Sequence, residues 1–171
     1  MIKEWNGLKP EIHETCFIAE TADIVGSVII GEDSSVWYKA VLRGDVDGIV
    51  VGKRSNIQDT CVVHTHAGLP AIIGDDVTIG HSAIIHACTI GDNCLIGMGA
   101  TILDGAVIGE GSIIGAGAVV PPNMKVPPHS QVVGIPGKII KTLSPERVNE
   151  LIDHSRRYAA LAKTHKAEQE K

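Results

Sequence analysis

The sequence predicts an all-β chain wound as a parallel β-helix and closed by one C-terminal α-helix. Three observations carry this: a six-residue period, a scarcity of aromatic residues, and a helix signature confined to the end of the chain. An aliphatic residue recurs at Ile18, Ile24, Ile30, Val36 and Leu42, at Val51, Ile57 and Val63, at Ile73, Ile79 and Ile85, and then every sixth residue from Ile90 to Val120. Glycine often follows it, as at Gly31, Gly52, Gly74, Gly80 and Gly97, and a small residue often sits four positions after it, as at Ala40, Ser55, Cys61, Ala83 and Cys94. A hexad is too short for a pair of helices and too regular for hairpins. It reads as one flat side of a three-sided coil, with the aliphatic residue stacked inward and the small residue facing in near a corner. Only five residues are Phe, Trp or Tyr, against 19 glycines. Thin identical layers need no aromatic bulk, whereas an ordinary globular core does.

Residues 1–137 are assigned to the β-helix with an N-terminal leader, and residues 138–171 to a helix packing on it. The coils should stop near "VVPPNMKVPPHS", because proline cannot donate to a sheet ladder. Ser144 is placed to cap the helix, with Pro145 in its first turn. Val148, Leu151, Ile152, Ser155, Ala159 and Ala162 trace one face at helical spacing, and a frayed charged tail is expected after Lys163. The net charge of −5, with no basic block, argues against nucleic acid or an anionic membrane as partner. The N-terminus lacks a signal-peptide pattern and no apolar run suits a bilayer, so a cytoplasmic protein is expected. The four cysteines form no CxxC pair and are read as reduced, Cys61 and Cys94 as small core residues.

Three breaks interrupt the period: three residues inserted around Gly48, four within "THAGLPAI", and one missing between Ile85 and Ile90. Both insertions are expected as loops at corners. Counting sides through the breaks puts Leu42, Val63, Ile85 and Ile102 on one side in successive coils, and Val36, Ile57, Ile79 and Ile96 on another. Arg43, His64 and His86 then share a column. With strands about 4.8 Å apart, two stacked imidazoles can lean onto one metal ion. His81 falls in a different column, with Tyr38, Asp59 and Met98. A rigid prism cannot bring it to His64 and His86 of its own chain, so a three-histidine site needs His81 from a neighbouring molecule about a threefold axis. Arg43, Asp45 and Asp59 lie beside these columns and are candidates for an ion-pair network between subunits.

Together, the "RGD" of Arg43 to Asp45, the "NIQD" of Asn56 to Asp59, the three histidines and the repeats resemble the γ-class carbonic anhydrases and their hexapeptide-repeat relatives. The resemblance covers almost the whole chain and implies a left-handed β-helix and a homotrimer. It implies His64, His81 and His86 as ligands of Zn2+, for which Fe2+ or Co2+ can substitute. It further implies Gln58 on the metal-bound water or bicarbonate, Asn56 holding Gln58, and Arg43, Asp45 and Asp59 between subunits. The implied reaction is reversible hydration of carbon dioxide to bicarbonate by a metal-bound hydroxide. The archaeal prototype carries proton-handling glutamates where this chain has Val46 and the acid-free "THAGLP". His66, or Tyr158 on the helix, is the candidate for that role. An acyl-CoA thioesterase or acyltransferase, or a non-catalytic trimeric scaffold, is the alternative on the same fold.

Overall fold

The computed structural model describes residues 1–171. It is a parallel β-helix followed by a single helix, Pro145–Gln169. Side one stacks Val41–Val51, Val62–His64, Ile84–His86, Thr101–Ile102 and Val119–Val120. Side two stacks Ala71–Ile73, Thr89–Ile90, Val107–Ile108 and Lys125–Val126 on the far end of Val41–Val51. Side three stacks seven parallel strands from Phe17–Ile18 to Ser130–Val133, with Lys138–Thr142 added antiparallel at its end.

The predicted layers are present. The inward aliphatic residues Leu42, Ile57, Val63, Ile79, Ile85 and Ile96 are fully buried, as are the small corner residues Ala40, Cys61, Ala83 and Ala100. Burial pushes the thiol of Cys61 up to about 11 and that of Cys94 up to about 12, and all four cysteines are free. Glycine after the inward residue is steric: a Cβ on Gly97 would lie 2.4 Å from the Ala116 nitrogen of the next coil. At most corners the third residue after the inward aliphatic makes the turn. Asp33, Lys39, Arg54, Thr60, Asp76, Ser82, Asn93, Asn123 and His129 all have φ between 52° and 61°. Side chains rarely adopt that left-handed conformation. Here each corner imposes it, and the hydrogen bonds to adjacent coils hold it.

The expectations about insertions divide. The residues around Gly48 are not a free loop. They form a bulge inside the continuous strand Val41–Val51, where the register passes from Gly26↔Gly44 to Val28↔Ile49. A strand that bends through the corner keeps its ladder on both sides, which a loop would forfeit. The second insertion is a small loop pinned by the antiparallel bridge of His66 with Leu69.

The helix lies along side three. Ser144 accepts a hydrogen bond from the Arg147 backbone N–H, and Leu151, Ser155 and Ala162 are buried beneath the helix. Most of the chain's aromatic residues gather at this seam: Trp37 meets Phe17, Tyr158 and His165 in edge-on contacts. The tail after Lys163 is helical to Gln169 and not frayed. Lys163 pairs with Asp33 at 3.0 Å, Lys166 donates to the Glu14 carbonyl, and Gln169 donates to the Ile18 carbonyl at 3.0 Å. Polar docking, together with the His165 ring against Phe17 and Trp37, replaces the apolar stripe there. No helix is long and apolar enough to cross a membrane.

Candidate metal centre

Parallel pairing sets Arg43 beside His64 and His64 beside His86 on side one. All three are outward-facing residues next to a buried aliphatic, so the stacked core fixes their spacing. His64 Nδ1 lies 3.1 Å from His86 Nε2. The opposite nitrogen of each ring meets a carboxylate: His64 Nε2 lies 3.1 Å from Asp45 Oδ1, and His86 Nδ1 lies 2.5 Å from Asp104 Oδ1. Asp45 also accepts from the Arg43 guanidinium at 2.7 and 2.9 Å. Burial works to raise the Asp45 pKa, but the hydrogen bonds from Arg43 and His64 prevail and hold it below the ordinary value. Asp104 is likewise held low, first by its bond to His86.

His81 sits at the end of side three, where the chain turns toward side one. Its Nδ1 meets Asp59 Oδ2 at 2.8 Å and its Nε2 has no partner. Within one chain, no three His, Cys, Asp or Glu side chains converge to hold a metal. Asn56 and Gln58 flank Ile57 on side three and are buried by the helix. Gln58 donates to Asn56 Oδ1 at 3.1 Å and accepts from the His81 backbone N–H at 3.2 Å. Tyr158 lies across a cleft of about 150 Å³ that it shares with Gln58, Thr78, His81, Leu95, Met98 and His154. Burial first, then the charge of Asp59, raises the Tyr158 pKa, so its phenol stays protonated at neutral pH.

The likenesses to known proteins follow this geometry. The family described as Bacterial transferase hexapeptide (six repeats) matches residues 70–104 and 87–122. A probable carbonic anhydrase from Methanocaldococcus jannaschii is 56% identical, covering 86% of this chain and 92% of its own length. A carbonic anhydrase from Geobacillus kaustophilus is 43% identical, covering 99% of this chain and 93% of its own. The chain belongs to the γ-class carbonic-anhydrase-like family of hexapeptide-repeat proteins. Membership makes it an enzyme of that kind and implies a metal cofactor. Among solved structures, one from Bacillus cereus described as a putative acetyltransferase superposes with a TM-score of 0.96 at 42% identity, covering 98% of this chain and 97% of that one. A hexapeptide-repeat acetyltransferase from Vibrio cholerae in complex with acetyl coenzyme A superposes at 0.59, with 28% identity, 67% of this chain and 70% of that one.

The donor set of this γ-carbonic-anhydrase-like chain fits a divalent metal. Tetrahedral bonds of about 2.0–2.1 Å place two ligand nitrogens about 3.3 Å apart, close to the 3.1 Å between His64 and His86. Each of the three histidines has one nitrogen held by a carboxylate; the other nitrogens of His64 and His86 face each other, and that of His81 has no partner within the chain. Metal-binding histidines are usually oriented in this way. Asp104, Thr78 and His154 are the members of this constellation that the sequence reading passed over. Asp104 was findable, because it stands two places after the inward Ile102, one coil on from His86. The helix register gave no sign that His154 reaches side three.

Proposed function

We propose that the chain is a metal-dependent carbonic anhydrase whose centres lie between the subunits of a homotrimer, His64 and His86 from one chain and His81 from the next. The observation that carries this is that a carboxylate holds one nitrogen of each of these histidines, while the second nitrogens of His64 and His86 face each other at 3.1 Å, the spacing of two ligands on one ion. A bound Zn2+, or Fe2+ or Co2+ in its place, supplies a water acidified to a pKa of about 7. Asp45, Asp104 and Asp59 fix the three rings. Gln58, held by Asn56, keeps an N–H to orient a water or bicarbonate oxygen. Outward-facing Val62 and Ile84 give an apolar surface beside the histidines for a second copy to cover, and the Arg43 N–H groups that Asp45 leaves free can reach a carboxylate across it. Proton export falls to His66 on its exposed loop, because the Tyr158 phenol, its pKa raised by burial and by Asp59, neither takes up nor releases a proton readily near neutral pH.

The cleft of about 150 Å³ suits carbon dioxide or bicarbonate. The acetyltransferase descriptions of similar structures keep acyl-CoA chemistry as the second reading, and an acyl-CoA hydrolysis and transfer screen tests it. The first reading is tested by metal content and solution mass together with stopped-flow hydration of carbon dioxide. One metal per chain in a three-chain particle with hydration above buffer is expected. Metal-free monomers, or no hydration after zinc or ferrous loading, would overturn it.

A further inference from the structure

Five polar groups form an unbroken line from the candidate centre to the C-terminal helix, and its direction can be worked out from the backbone. The His81 backbone N–H can only donate, so Gln58 must present Oε1 to it at 3.2 Å. The Gln58 amide nitrogen therefore faces Asn56, whose Oδ1 accepts at 3.1 Å. That leaves the Asn56 amide nitrogen toward the Val77 carbonyl, which can only accept, and toward Thr78 Oγ1 at 3.0 Å. Thr78 thus accepts from Asn56 and has a hydroxyl proton left to give. Its remaining neighbour is His154 Nδ1, 3.2 Å away on the helix. Asn56, Gln58 and Thr78 are each at most 3% exposed, so water cannot easily take over a lost partner.

We propose that His154 is a positioning residue. As a neutral Nε2–H tautomer it accepts a hydrogen bond from the Thr78 hydroxyl on Nδ1, and so keeps Thr78, Asn56 and Gln58 in the one arrangement that aims the spare Gln58 N–H into the cleft. Burial, and then the charge of Arg157, lowers the His154 pKa, in keeping with a neutral ring. The inference rests on the carbonic anhydrase reading only for its kinetic consequence, because the arrangement of the side chains exists without substrate. It also gives the helix a part in the chemistry although it carries no metal ligand: the helix docks His154 onto side three from outside the coils.

The test combines kinetics on zinc-loaded protein with NMR of 15N-labelled protein. His154→Leu keeps bulk and removes the acceptor; His154→Asn returns an acceptor near the Nδ1 position; Thr78→Val cuts the line one step earlier. Losing one hydrogen bond of ordinary strength corresponds to a fall of about threefold to tenfold in kcat/KM. That fall is expected for His154→Leu and Thr78→Val, with metal content and particle mass unchanged, with a melting temperature lowered by no more than the loss of one buried hydrogen bond, and with His154→Asn restoring the rate. The Gln58 side-chain amide resonances should move in the first two variants and return in the third. If the wild type hydrates no carbon dioxide, the functional reading falls and the amide resonances alone decide the positioning role. Should His154→Leu not fold, the ring nitrogens of the wild type decide. An Nδ1–H tautomer at His154, unmoved Gln58 resonances, or an Asn variant as impaired as the Leu variant overturns the proposal.

Discussion

Asp104→Ala separates the metal-centre reading from a surface ion pair more sharply than any ligand substitution. Asp104 Oδ1 is 2.5 Å from His86 Nδ1, and both side chains are about one-third exposed, at 35% and 30%. As a partly exposed pair the contact is worth about 0–1 kcal/mol of stability, so the melting temperature should barely change. As the group that holds a ligand ring in its tautomer and orientation, the same carboxylate is worth about 10–100-fold in metal affinity. At about 1.4 kcal/mol per tenfold, that is roughly 1.4–2.8 kcal/mol, more than the ion pair can account for. Competition for zinc against a chromophoric chelator reads the affinity, while light scattering and a thermal melt read assembly and stability. The expected result is weakened binding by a folded trimer. Unchanged affinity would falsify the idea that Asp104 serves the centre, and loss of metal only together with loss of the trimer would assign it to assembly.

Gly97→Ala should lower stability by about 1–3 kcal/mol, since the new Cβ would meet the Ala116 nitrogen at 2.4 Å and the Gly115 carbonyl carbon at 2.7 Å; a denaturant midpoint equal to wild type would contradict the close approach of coils. The Asp33 carboxyl is held below its ordinary value, first by the hydrogen bond from Lys163. Its contribution is therefore complete above the unfolded pKa of about 4 and is lost as pH falls through the depressed native value. Hydrogen exchange of the last helical turns should accelerate in that acid window, and Asp33→Asn should remove the dependence. Cys94, with its thiol pushed up to about 12 and buried, should resist alkylation at pH 8 in the native state and react on unfolding; rapid native labelling counts against the packing described.

The period of six made the fold legible because every coil repeats the same steric demand, a large aliphatic residue inward and a small one four places on. Counting hexads through three breaks was enough to set Arg43, His64 and His86 side by side, as the strand register has them. It was not enough to find Asp104. That residue lies at a different place in its hexad from His86, and columns of like positions do not reveal contacts between unlike ones. The left-handed corner residue was hidden as well. Asp33, Lys39, Thr60 and Ser82 have no common chemistry, because the constraint comes from neighbouring coils and not from the side chain. The helix was legible as a helix, from Ser144 and its apolar stripe, but not in its reach. Past Ala162 it is tied by Lys163, Lys166 and Gln169 to groups near the N-terminus and held by His165 against Phe17, Trp37 and Tyr38, and hydrophobic periodicity is blind to these contacts. His154 was missed for the same reason, since its partner Thr78 is set by how the helix seats against Trp37 and Phe17.

Asn56–Ile57, followed by Gln58, and Thr78–Ile79, followed two places on by His81, are the third and fourth of the seven parallel strands of side three. In such a stack each layer touches only the layers above and below, so stability is close to a sum of nearest-neighbour terms and opening begins at the ends. The candidate layers thus lie near the middle of the stack. Thermal fraying, clipping or substitution of an outer layer consumes spare material before it reaches the middle, so loss of activity should lag behind loss of end-layer structure on heating.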